Sequence, residues 1–156
     1  MTTAAAWTCP TCGAPFANRN ASHSCVDISI DAHFASADPA VRAAFDRLGQ
    51  FAAVDGEVPP IAQKTRIVFA APMRFLAVTV RRDRLVGHVL HDRQVSHPIV
   101  TEIVPDAYGS GLYLHRFSVR SADELDDAFA ALVREAAARV GRRERLRAPS
   151  TSRRVR

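Results

Sequence analysis

The most regular hydrophobic pattern in the chain lies near its end. Leu125, Phe129, Leu132, Ala136 and Val140 recur at spacings of three or four, which aligns them on one face of a helix. Ser121 and Glu124 form a capping box ahead of them, Asp123, Asp126 and Asp127 put negative charge at the positive end of the helix dipole, and Gly141 supplies a stop. A second amphipathic helix is predicted over residues 38–54. Asp38 caps it, Pro39 takes the first helical position, Val41, Phe45, Leu48 and Ala52 form its stripe, and Gly56, Pro59 and Pro60 end it. From Thr65 the period changes: TRIVFA, MRFLAVTV, RLVGHVL, IVTEIV and LYLHRFSV are β-branched or aromatic runs of six to eight residues. Short turns at Ala71-Pro72 and Arg82-Asp83 join the first three as an antiparallel meander, and PDAYGSG joins the last two.

These elements predict an α+β fold: an antiparallel sheet of about five strands with two main helices packed on one face. Phe69, Phe75, Leu85, Val89, Leu114 and Phe117 are the candidates to fill that face. Residues 28–141 hold all the periodic patterns and form the α+β domain. Residues 7–27 hold the only Trp and all three Cys but lack a pattern able to build a core, so they need a staple. Residues 1–6 read as a disordered leader and 142–156 as a disordered tail.

Charge changes this picture only at the end. The 156 residues carry a net +5, but residues 139–156 contain eight Arg against one Glu, a surplus of seven that leaves residues 1–138 at −2. The basic character therefore belongs to the tail. Twenty Arg stand against a single Lys, Lys64. No run of 18 apolar residues exists and the first residues lack an apolar segment, so neither a membrane span nor a signal peptide is expected and the protein reads as cytoplasmic.

The strongest chemical signal is WTCPTCGAPFANRNASHSC. Cys9 and Cys12 are spaced to face one ion at about 2.3 Å, Gly13 relieves the tight turn after Cys12, and His23 and Cys25 can complete a tetrahedron. The pattern reads as a structural Zn²⁺ site of the Cys3His type, a zinc-knuckle head with no vacancy for a catalytic water. His33 and Asp27 are reserve ligands. A redox pair, a disulfide and loose thiols are the alternatives; the absence of a preceding strand and the odd cysteine count weigh against the first two. Trp7 and Phe16 read as the knuckle's miniature core.

A second constellation lies on the strands. Lys64, Arg66, Arg74, His88 and His115, with Arg81 nearby, can share a sheet face opposite the helices and bind a phosphate, a nucleic-acid backbone or a carboxylate ligand. The reading preferred from the sequence is a solvated outer face whose Arg stems cover apolar surface, because side-chain parity over five short strands cannot be fixed without the bulge positions. His88, His91 and Asp92 resemble a metal-ligand set, but residues three apart on a strand face opposite sides. Gly109-Ser110-Gly111 reads as a turn and His97-Pro98 as a turn into a strand. No Ser-His-Asp or Cys-His order presents itself, so no catalytic residue is assigned.

The knuckle, the helix with PAVRAAFDRL, the strand QKTRIVF, the meander MRFLAVTVRRDRLVGHVLHDR and the closing ELDDAFAALVREA together resemble a family of small uncharacterised bacterial proteins. These have a zinc-finger-like head and a domain of unknown function. The resemblance spans about residues 7–140. It implies a compact α+β fold, relatives attached to nuclease-like modules, and zinc positions at Cys9, Cys12, His23 and Cys25.

Three functional expectations arise, in order. The first is a zinc-binding module associated with nucleic acid through its Arg-rich tail. The second is a protein or enzyme that binds a small anionic ligand through Lys64, Arg66 and Arg74. The third is an adaptor whose head docks on a protein partner.

Overall fold

The computed structural model describes residues 7–10, 15–16, 29–53, 56, 58–71 and 73–142. Its first elements are two short strands, β1 (Trp7–Thr8) and β2 (Pro15–Phe16), then a single helical turn α1 (Ile30–His33) and the long helix α2 (Pro39–Ala52). Six strands come next: β3 (Ile61–Ala62), β4 (Ile67–Ala70), β5 (Arg74–Val80), β6 (Leu85–His91), β7 (Val100–Ala107) and β8 (Leu112–Val119). A 3₁₀ turn at Ala122–Glu124 leads to α3 (Asp127–Ala136), which runs on into a π-helical turn at Ala137–Gly141.

The α+β architecture expected from the periodicity is present. β3 to β8 form one antiparallel sheet in the order β3-β4-β5-β6-β8-β7, and β1 pairs with β2 separately. The extra strand is β3, only two residues long, and β8 lies between β6 and β7. Pro39 starts α2 as predicted, because Asp38 is extended (φ −63°, ψ 146°) and the first helical residue needs no N–H partner.

Both helices cover one face. The Phe45 ring of α2 lies 5.9 Å from Phe69, and the Phe129 ring of α3 lies 5.1 Å from Phe117. Burying each such side chain is worth about 2–3 kcal/mol. Phe69, Phe75, Leu85, Val89 and Phe117 are fully buried, as expected. Leu114 is buried too, but strand alternation turns it away from Phe117 and His115, onto the other face beside its register partner Leu90.

Two local features fix the register. The β4–β5 pairing shifts between Phe69 and Ala70: Phe69 faces Leu76 and Ala70 faces Arg74, which leaves Phe75 as the extra residue of a bulge. Phe75 and Leu76 can then both be buried in the same core. Gly87 of β6 faces the Ala77 carbonyl, and any Cβ there would collide with it and with Phe117 and Val78.

The start of α3 departs from the capping box. Leu125 leaves helical geometry (φ −93°, ψ 88°) because its side chain is drawn into the core and its carbonyl accepts from Arg47 Nε at 2.8 Å. Asp126 is therefore the cap, its Oδ1 accepting from the Phe129 N–H at 2.9 Å, while the Glu124 carboxylate turns back to the Arg120 N–H. At the other end Met73 N–H donates to the Gly141 carbonyl at 2.8 Å, and the Phe75 ring packs where a Gly141 side chain would be. Among the described residues no helix is long and apolar enough to cross a membrane.

Candidate functional site

The two long helices pack on one face of the sheet, and alternation decides which side chains the second face carries. Val68, Ala77 and His88 lie on it because they pair in register with one another, and His88 pairs onward with Arg116 of β8. Arg66, at the approach to β4, and Arg74, opposite Ala70, complete the set. Two adjoining cavities open here, of about 550 and 400 Å³. Arg66, Ala77 and His88 line both. The smaller one adds Arg116 with the hydroxyls of Thr79, Thr101 and Ser118, and the larger adds Arg74 with apolar walls that include Ile61, Met73 and Tyr108.

His88 is the electrostatic centre. Desolvation in the groove, and then the positive charges of Arg66 and Arg116, hold its pKa below the ordinary imidazole value, so the ring is neutral at pH 7. Arg66 is positioned by its Nε–H donating to Gln63 Oε1 at 3.0 Å. Arg116 pairs with Glu102 of β7 at 3.1 Å on an exposed rim, a contact worth well under 1 kcal/mol and easily exchanged for a ligand. Among the described residues Arg74 forms no ion pair. A neutral imidazole between guanidiniums can donate one hydrogen bond to an anion and gain a proton as the anion neutralises its neighbours.

Of the sequence candidates, Arg66, Arg74 and His88 therefore converge. Lys64 does not join them: it is exposed on the β3–β4 turn and lines neither cavity. His115 is on the helix side, because its register partner is Val89 rather than His88. It is fully buried and satisfied there: Nε2 accepts the Val95 N–H at 2.9 Å, and Nδ1–H points at the carbonyls of Val89 (3.3 Å) and Tyr113 (3.2 Å). Desolvation lowers its pKa and keeps it neutral. Arg116, one residue on, takes the place given to His115.

His88 and His91 do face opposite sides, as their spacing requires. His91 is fully buried under α3, with its ring 6.3 Å from that of His115. Its Nδ1 lies 3.2 Å from the Arg93 N–H and 3.0 Å from Asp92 Oδ1, and its Nε2 lies 3.2 Å from Glu135 Oε2. Glu135 also accepts from Arg93 at 2.6 Å, and this contact first, then His91, holds its carboxyl below the usual range. Asp92 accepts from Arg139 at 2.8 Å. These bonds fasten the end of β6 to α3 and to the π-helical turn. His97 does more than begin a strand: its Nε2 bonds Asp126 at 2.8 Å and its ring meets Phe129 edge-on at 5.3 Å, which ties the β6–β7 loop to the cap of α3.

For the zinc positions, Cys9 is buried at the end of β1. Cys12, His23 and Cys25 lie outside the described residues, as do Asp27 and the tail from residue 143. His33 is engaged elsewhere, with its Nε2 2.8 Å from the Gln63 carbonyl. Among the described residues no group of three metal-ligating side chains comes together.

With the fold and the groove in place, comparison with known proteins adds one result. Residues 30–137, from α1 to the end of α3, match a domain of unknown function, DUF5655. The chain belongs to the DUF5655 family. No curated protein and no solved structure matches it. The DUF5655 match takes in every strand of the large sheet and all four groove residues, Arg66, Arg74, His88 and Arg116. The cysteine-bearing segment lies outside it.

Proposed function

We propose that this DUF5655 protein binds a small anionic ligand, with phosphate as the preferred charged group, in the groove on its second sheet face. The observation that carries this reading is the placement of Arg66 and Arg116 on either side of His88, over walls that supply three hydroxyls. Both cavity volumes fall in the range of small-molecule sites. Association with nucleic acid through the tail rests on composition alone, and the dimensions of the groove favour a small ligand over a long strand. Among the described residues His88 makes no hydrogen bond to Thr79, Thr101 or Ser118, so no activated nucleophile is assembled and the reading is binding rather than catalysis.

Calorimetric titration with inorganic phosphate and phosphate esters tests it. Binding should weaken about tenfold or more in Arg66→Ala and in Arg116→Ala, since a charge-assisted hydrogen bond is worth about 1.5–3 kcal/mol. Equal or undetectable affinity in the native chain and both variants would end this reading.

A second reading concerns the head. We infer a structural Zn²⁺ site at Cys9, Cys12, His23 and Cys25, supported by the antiparallel pairing of the strands on either side of the first two cysteines, Trp7 with Phe16 and Thr8 with Pro15, and by the burial of Cys9. Elemental analysis of protein purified under reducing conditions should find about one zinc per chain, lost in Cys12→Ser.

A further inference from the structure

The larger cavity carries a feature that an anion site alone does not need. Tyr108 sits in the turn between β7 and β8 with φ 58°, a left-handed conformation that is costly for a bulky residue, and its side chain is 77% exposed. The turn is over-determined: Gly109 N–H donates to the Asp106 carbonyl at 3.0 Å, Gly111 N–H donates to Asp106 Oδ1 at 2.8 Å, and Gly109 and Gly111 take positive φ themselves. Neither packing nor turn chemistry calls for an aromatic ring there; Asn or Gly would suit the backbone better.

Its position in space supplies a reason. Neighbouring strands lie about 4.8 Å apart, so five spacings separate β3 from β7 by about 24 Å in a flat sheet. Yet Tyr108 and Ile61 of β3 line the same cavity, so the sheet curves enough to bring the β7–β8 tip to its border. The larger cavity thereby gains two planar groups, the Tyr108 ring and the Arg74 guanidinium, among the apolar walls of Ile61, Ala70 and Met73. Arg66 and His88 lead from it directly into the compartment with Arg116 and the three hydroxyls. One end of the groove is thus built for a flat, weakly polar ring and the other for a phosphate.

We propose that the ligand is a free mononucleotide, its base held against Tyr108 and Arg74 and its phosphate between Arg66, His88 and Arg116. This rests on the anion-binding reading and specifies the rest of the molecule. Aromatic and guanidinium planes are the common platforms for an unpaired base, and stacking tolerates any base.

The test compares adenosine 5′-monophosphate, ribose 5-phosphate, inorganic phosphate and a single-stranded oligonucleotide by calorimetry on the full chain. The mononucleotide should bind about tenfold or more tighter than ribose 5-phosphate. That advantage should vanish in Tyr108→Asn, because Asn tolerates the left-handed backbone but offers no ring, and survive in Tyr108→Phe, while affinity for inorganic phosphate stays unchanged in both. Equal affinity for mononucleotide and ribose 5-phosphate, with phosphate still sensitive to Arg66→Ala, overturns the base site and leaves the anion site standing. Tighter binding of the oligonucleotide than of the mononucleotide overturns it in favour of a nucleic-acid strand. Failure of every anion defeats both readings.

Discussion

The two faces of the sheet treat histidine in opposite ways. Under the helices, His115 and His91 are fully buried, and each ring nitrogen meets a backbone or side-chain partner. On the second face, His88 is half-buried between two guanidiniums and makes no hydrogen bond among the described residues. A buried polar group without partners costs about 1–3 kcal/mol, so the covered face can keep histidine only by satisfying it. The groove can leave hydrogen-bonding capacity spare because solvent, or a ligand, fills it. Spare capacity beside positive charge is what marks a binding surface.

That contrast can be broken from either side. The largest effect belongs to the covered face: Phe129→Ala should cost about 3–5 kcal/mol in urea unfolding, because its ring holds Phe117 and His97 together. Gly87→Ala should cost about 2–3 kcal/mol, since the added methyl meets the Ala77 carbonyl, a backbone atom that cannot rotate away. His115→Leu keeps the bulk but strands the Val95 N–H, and a loss of about 1–3 kcal/mol is expected. If it is neutral, the hydrogen bonds of His115 contribute nothing and the contrast between the faces weakens.

Acid should act through the same histidines. His115 and His88 have folded pKa values below the unfolded one near 6.5, so the folded chain binds fewer protons. Stability should be full above about pH 7 and fall as pH drops through 6.5 toward the folded values, a decline seen as a lower urea midpoint at about pH 5.5 than at about pH 7.5. His115→Leu should flatten it. The smallest effect is expected of Arg116→Ala, which should change stability by less than about 0.5 kcal/mol while cutting anion affinity. A large loss of stability would make Arg116 structural instead.

The sequence made some of this legible and hid the rest for identifiable reasons. α2 could be read to within two residues because capping and periodicity are local, and the strand segments because their composition is. α3 was misplaced by several residues because Leu125, a core residue, outweighed the Ser121–Glu124 capping box. The groove was half legible. Arg66, Arg74 and His88 could be named, but the choice between His115 and Arg116 depends on how β8 registers against β6, and β7 intervenes in the chain between them. Bulges between Phe69 and Ala70, Val100 and Glu102, and Val104 and Ala107 further prevent alternation from being carried from strand to strand. Tyr108 carries no signal within PDAYGSG, because its place beside the larger cavity depends on the tertiary course of the hairpin tip, which no local pattern encodes.

The π-helical turn has a mechanical consequence. The DUF5655 match stops at residue 137, yet the carbonyl of Gly141 holds the N–H of Met73, and Met73 and Arg74 form the rim of the larger cavity. The last turn is thus a strut for the mouth of the groove. Any displacement of this turn reaches that rim through one hydrogen bond and the Phe75 ring.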